Sequence, residues 1–319
     1  MRTFFVQRWF LLTLVLVLVT GIMWATLLEP IANQRWLRNA VVAGVMFCMS
    51  FPLEARAMIR ALRQPGPPLL AFCMSFVILP LFAWAVSLSL KGDLAAGLQV
   101  AAATPCTLAS ASVWTRRAGG NDAVSTLVTL LTNVLCFALT PLWLWIMTGR
   151  IANNPELSLA TMTGQLGMLV VLPIVAAQLL RLRRPTADWA TRQKTLLGVV
   201  AQGGILLMVL FGAIRTGLRL GDQSNKVAAP DLVAMIVAVL VVHLVIFWLG
   251  VQLAKLCGFS RENQIAVGFS GSQKTLMVGL MMAIALKASI LPMVAYHCLQ
   301  LFVDTLIADA YRKASRNDE

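Results

Sequence analysis

Charged side chains are scarce in this sequence: Asp, Glu, Lys and Arg make up 12% of its 319 residues, about half of the roughly 25% of a soluble domain. Apolar residues make up 59%, and the few charges fall between long apolar runs, leaving the runs almost free of them. That distribution excludes a water-soluble globule and is the pattern of a chain that lives in lipid. Paired cysteines are missing too. Cys48, Cys73, Cys106, Cys136, Cys257 and Cys298 lie within or at the ends of apolar runs with no CxxC spacing. They read as small packing residues and imply neither a metal site nor a disulfide framework. Acidic residues are few, 13 against 26 basic ones, and such an excess raises the question of nucleic acid, whose phosphates attract clustered Lys and Arg. Here the basic residues gather at the ends of the apolar runs, where they set topology and meet anionic headgroups. The expected partner is therefore the lipid bilayer, with no nucleic acid.

Ten apolar runs are long enough to cross a hydrocarbon core of about 30 Å. They lie near 9–28, 36–53, 68–90, 94–115 and 121–148, then 159–181, 195–214, 230–256, 263–286 and 290–311. The first follows Arg2 and Arg8 as a signal peptide would, but it runs for about 20 residues without a clear small-residue cleavage site, and more runs follow. No stretch between runs is long enough for a soluble domain, so residues 1–319 are expected to form a single integral membrane domain, all-α, with ten transmembrane helices. An even count puts both termini on one side. Ten crossings place 17 basic residues on the side of the termini and eight on the other, namely Arg35, Arg38, Lys91, Arg150, Arg215, Arg219, Lys226 and Lys287. The positive-inside rule then makes both termini cytoplasmic, in a cell inner membrane. The remaining basic residue is Lys274, well inside the ninth run.

Two runs are broken near their middles. The fourth carries Thr104-Pro105-Cys106-Thr107 followed by Ser110 and Ser112, and the ninth carries Gly268-Phe269-Ser270-Gly271-Ser272-Gln273-Lys274-Thr275. Divided into fives, the runs give one half over about 9–150 and another over about 155–311, each broken in its fourth helix. Because five is odd, the second half inserts upside down relative to the first, which is the inverted-repeat plan of many secondary transporters. Half-helix N-termini at such breaks attract anions, and C-terminal carbonyls coordinate cations. A Pro kink healed by neighbouring side chains is the plainer alternative for the fourth run taken alone.

The fifth run has a polar stripe of Ser125, Thr129, Thr132 or Asn133, Cys136 and Thr140, either interhelical glue or a set of oxygen ligands. In the tenth, His297, Gln300 and Asp304 share one side of a helix. An Asp in lipid needs a partner or a cavity, and Lys274 is the economical partner, so the choice lies between a Lys274–Asp304 pair and a lysine that meets substrate or couples transport to protons. His243 reads as a hydrogen-bonded interior imidazole. Gly268-Phe269-Ser270-Gly271-Ser272 nearly spells the GxSxG nucleophile elbow, but the fifth residue is Ser and no strand precedes it, so no catalytic residue and no enzyme is expected.

The stretch from Pro105 to Asp122, PCTLASASVWTRRAGGND, resembles the PTTISSxVxxTRxAGGNxA signature of the SBF-like branch of the bile acid:sodium symporter family. Gly271 to Leu276, and Leu291 to Leu301 with Tyr296-His297 and Gln300-Leu301, are similar to that branch's ninth and tenth helices. The resemblance spans essentially all ten helices. It implies two inverted five-helix repeats, a core domain moving against a panel, and broken fourth and ninth helices crossing at the site. Sodium-coupled relatives hold one ion with a Ser-Asn pair on the fourth helix, a Ser and a Thr on the fifth and a Glu on the ninth. On this chain the resemblance puts sodium at Ser112, Ser125 and Thr129, with Phe269 near the Glu position and Lys274 where those relatives have Asn. An ammonium there would repel sodium, so the Lys274 ammonium is expected to stand in the ion's place.

The expected activity is secondary active transport of a small organic anion by alternating access, the coupling ion being sodium, a proton or none. Thr104, Pro105, Thr107, Ser110, Ser112, Ser125, Thr129, Ser272, Gln273, Lys274 and Thr275 form the expected substrate and ion site, supported by His297, Gln300 and Asp304. No cofactor is expected beyond a sodium ion. A cation/proton antiporter of related architecture is the alternative within transport, and a membrane enzyme or receptor the alternative outside it.

Overall fold

A computed structural model describes residues 2–54, 61, 63–108, 110–149, 158–220 and 228–317. Arg56 and Arg60, two of the 17 basic residues counted on the side of the termini, Arg150 and Lys226 of the other eight, and the junction expected near 150–155 lie outside the described residues. Among those described, every regular element is helical.

Helix α1 (Arg2–Met23) turns through 104° into α2 (Ala25–Ala32). The first run was expected to continue to residue 28, but Trp24 leaves the helical region at φ −108, ψ 30, and the segment beyond carries Glu29 and Pro30 across the end of the span. Helix α3 (Arg35–Ser50) follows. Its 16 residues reach only about 24 Å, and its C-terminal end is finished by α8 (Leu159–Leu180) and the turn after it: Gln178 donates to the Ser50 carbonyl at 2.7 Å and Arg181 to that of Phe51 at 2.9 Å. Helix α4 (Gly66–Ser87) enters on Pro67 and Pro68, which lose nothing by lacking an N–H in a first turn. The fourth run divides into α5 (Gly92–Ala103) and α6 (Ser110–Arg117). Helix α7 (Asp122–Thr148) starts on an Asn121 side-chain cap and stops at left-handed Gly149. After α8, the short surface helix α9 (Arg184–Arg192) leads to α10 (Lys194–Leu220) and α11 (Ala229–Leu256). The ninth run divides into α12 (Arg261–Ser272) and α13 (Leu276–Ala285), and α14 (Leu291–Asn317) closes the described chain.

Among the described residues, six helices are long and apolar enough to cross a membrane by themselves, and seven spans result if bent α1–α2 is one. They carry exposed apolar flanks, such as Val233, Ile236, Val237, Leu244 and Trp248 on α11, which water would not tolerate and acyl chains would. The two divided runs sit inside instead: Leu98 and Val100–Ala103 of α5, Ile265–Ser272 of α12 and Leu276–Leu280 of α13 are buried. The GxSxG-like segment lies within α12, with no strand before it.

Half-helix α5 is held against α14 by the absence of a side chain. A methyl group on Gly97 would lie 2.8 Å from Pro292 Cγ and would also meet the Ser289 carbonyl. Because one contact is backbone, Gly97→Ala is expected to cost about 1–3 kcal/mol by overpacking. A lowered melting temperature in detergent checks this.

Candidate functional site

Pro105 ends α5: Thr104 before it is extended at φ −77, ψ 158, as a residue preceding proline tends to be. The carbonyls freed there are taken up by the polar stripe of α7. Thr140 Oγ1 donates to Ala103 O at 2.8 Å, Asn133 Nδ2 to Cys106 O at 2.8 Å, and Thr129 Oγ1 to Thr107 O at 3.2 Å, while Thr132 Oγ1 accepts from Cys106 N at 3.3 Å. These four side chains of the stripe bond across to the neighbouring broken run. Ser125 lies deeper along it, its hydroxyl 2.7 Å from Thr115 Oγ1 and accepting from Ser270 Oγ at 2.8 Å.

The second break is served by α14 and α11. Gln300 pairs with Lys274 like a strand neighbour, Oε1 accepting from its N at 2.9 Å and Nε2 donating to its O at 3.0 Å. His297 Nδ1 lies 3.1 Å from the same Gln300 nitrogen. Tyr296 donates to Ser272 O at 2.8 Å. The two breaks meet through the main chain, where Thr275 N donates to Pro105 O at 2.9 Å. They also meet through Gln273, whose Oε1 accepts from Thr107 Oγ1 at 2.9 Å and Ser110 Oγ at 2.8 Å.

Lys274 is fully buried, and Asp304 is not its partner. The ammonium has three donors and three acceptors: Ser75 O at 2.6 Å, Thr104 O at 2.7 Å and Ser75 Oγ at 3.3 Å. It also stands 5.3 Å from the Phe76 ring centre, within cation–π range. The Ser75 and Phe76 carbonyls are open because of Pro80. Residues Met74–Ile78 form a π-helical turn in α4, so each carbonyl looks to a donor four or five residues on, and Pro80 has no N–H. Lys274 fills one vacancy, and Trp143 Nε1 fills the other at 2.6 Å from Phe76 O. Of the two readings of Lys274, the Lys274–Asp304 pair is not formed, and backbone oxygens solvate the lysine instead. Asp304, also fully buried, accepts from His243 Nε2 at 2.9 Å on Oδ1 and from Gln273 Nε2 at 2.5 Å on Oδ2.

Both half-helix C-termini, of α5 and α12, end at the crossing, as do the N-termini of α6 and α13. The Lys274 ammonium meets the C-terminal end of α5 at Thr104 O, while the N-terminal ends, with their partial positive charge, border a cavity of about 230 Å³ lined by Thr107, Ser110, Ser112, Thr275 and His297. Opposite them the cavity is walled by α3 and α10. Of the candidate sodium residues, Ser112 lines this cavity, whereas Ser125 and Thr129 are fully buried in the bonds above and do not. Phe269, near the position of the relatives' Glu, packs edge-on against Phe247 with ring centres 5.0 Å apart.

The sequence pattern of the SBF-like CPA transporter family matches residues 8–313. The chain belongs to that family. Its relatives include an uncharacterized protein of Pseudomonas aeruginosa, 29% identical over 95% of this chain and 93% of its own. Another is the Escherichia coli protein YfeH, which carries a provisional symporter name, 26% identical over 98% and 95%. The Sodium/bile acid cotransporter 7-B of Xenopus laevis is 24% identical over 94% and 90%. Membership in the SBF-like CPA transporter family makes the chain a multi-pass membrane transporter, not an enzyme.

Two participants, Ser75 and Phe76, escaped the sequence reading, and the partners of two more are not legible in it. Ser75 and Phe76 are an ordinary Ser-Phe in an apolar run; Pro80 close behind them was the signal. His243 was read as interior and bonded, and it is, but its bond is to Asp304 across 61 residues of sequence. Tyr296, one of two tyrosines, entered only through the resemblance.

Proposed function

We propose that this chain is a secondary carrier for a small organic anion, working by alternating access without sodium. The crossings are ten, in two inverted five-helix halves over about 9–150 and 155–311, with both termini in the cytoplasm and the two breaks as the fourth helix of each half. The observation that carries the reading is the crossing itself, where a buried ammonium lies among backbone carbonyls and two helix N-termini border the adjoining cavity. A fixed positive charge at the C-terminal end of α5 makes a mobile cation redundant there, and donors at the N-terminal ends suit an anionic cargo. Thr107, Ser110, Ser112 and Thr275 are the groups that would meet it, and Gln273 ties the two breaks so that they move as one body against α3 and α10.

The buried His243–Asp304 pair favours one second reading, a proton-coupled exchanger of related architecture. Purified protein in liposomes, offered a panel of radiolabelled carboxylates and sulfonates in sodium-free buffer, separates the two. Accumulation or counterflow of an anion supports the carrier, and proton flux driven by a cation gradient with no anion moving overturns it.

A further inference from the structure

A second cavity, of about 480 Å³, opens at the other end of the same interface. Its lining includes Arg35, Arg38 and Asn39 of α3, Gln165 of α8, Arg215 of α10 and Lys287 just after α13, with no carboxylate among the described lining residues. Lys287 is at φ 51, the left-handed conformation that usually selects glycine after a helix. A lysine kept at that position in a cationic cavity supplies charge that glycine would not. All four basic residues fall in the smaller set of the charge count, on the side away from the termini, where the positive-inside rule disfavours them.

The two cavities share their walls. Cys48 and Met49 of α3, Lys194, Gly198 and Gln202 of α10 and Leu276 of α13 line the smaller one. Arg38 and Val42, then Met208 and Arg215, then Met281 and Ile284 of the same helices line the larger. Met49 and Arg38 are about 16 Å apart along α3 at 1.5 Å per residue. Between the cavities, Val45, Met46, Val209 and Leu280 are buried, and Gly204 lets α10 close onto Val45. One crevice thus has a mouth at each end and an apolar plug in its middle.

We infer that the cationic cavity is the docking site for the anion at the mouth opposite the termini, selecting cargo with two acidic groups or one acidic group and a polar second contact. Arginine forks bind carboxylate, sulfonate and phosphate oxygens in pairs, and a one-signed cavity in low-dielectric walls concentrates such ions from solution. The inference rests on the reading of the chain as an anion carrier.

The test uses the full chain in nanodiscs of phosphatidylcholine and naphthalene-2,6-disulfonate as probe, measured by equilibrium dialysis. Wild-type protein should bind it with an affinity that falls as KCl rises. Arg35→Gln with Arg38→Gln should weaken binding at least tenfold. Asn39→Asp, an exposed position that adds a carboxylate without disturbing packing, should weaken it several-fold even if the double variant folds poorly. Lys91→Gln, which removes one charge from the same side but lies outside the cavity, should stay within twofold. Equal affinity in all variants overturns the inference, as does complete loss of binding when phosphatidylglycerol is added to the nanodiscs, which would make the cavity a lipid headgroup site. Arginine-dependent binding in a protein that moves no anion would retain the site and discard the carrier reading, so the two can fail separately.

Discussion

Lys274→Ala is expected to reduce anion uptake in proteoliposomes to the level of protein-free vesicles. The substitution removes all three donors from a buried cluster and leaves the Ser75 and Thr104 carbonyls without partners. Each such orphaned group costs about 1–3 kcal/mol, so a lower melting temperature should accompany the loss. Destabilisation alone would not distinguish a structural lysine from one that replaces an ion, and Lys274→Asn does. Once the ammonium is gone, carbonyl oxygens at the C-terminal end of α5 face a site that a hard cation can occupy. Sodium should therefore raise the melting temperature of Lys274→Asn and leave that of the wild type unchanged. Uptake that survives either substitution and stays indifferent to sodium would show that the ammonium has no part in transport.

Asp304→Leu should be the most destabilising single change in α14, by about 3–5 kcal/mol. It deprives His243 and Gln273 of a common acceptor in a fully buried place. The consequence for transport runs through Gln273. With Nε2 held by Asp304, its Oε1 is aimed at Thr107 and Ser110 on the other break. Without that hold the two breaks keep the Thr275–Pro105 backbone bond and the Lys274–Thr104 bond but lose the side-chain link through Gln273. Asp304→Asn keeps one acceptor oxygen and nearly the same volume, so it should lose less stability than Asp304→Leu while still lowering uptake. Denaturation in detergent beside initial uptake rates measures both effects, and Asp304→Leu unfolding like the wild type would refute the assignment.

What could be read from the sequence was whatever disrupts a uniform apolar background. Pro105, Gly271, Lys274 and Asp304 each stand out against leucine and valine, and each lies at the crossing. The length of the apolar runs gave the all-helical architecture for the same reason, since lipid leaves a chain few alternatives. Pairing was harder to read. The Lys274–Asp304 pair stands among the sequence alternatives because formal charges are visible in a sequence and open carbonyls are not. The actual partners arise from Pro80 acting through a π-helical turn. The α7 stripe reads as glue or as oxygen ligands without its partners being legible, because which freed carbonyl lies opposite Thr129, Asn133 or Thr140 depends on how α5 ends. The bend at Trp24 was missed because Trp24 is itself apolar and hydropathy records no direction.

The most direct measurement is wild-type uptake of the carried anion into proteoliposomes with an inward sodium gradient, compared with the same gradient of choline. Equal initial rates are predicted, because Lys274 already supplies the positive charge at the crossing. A severalfold stimulation by sodium would contradict the account at its centre.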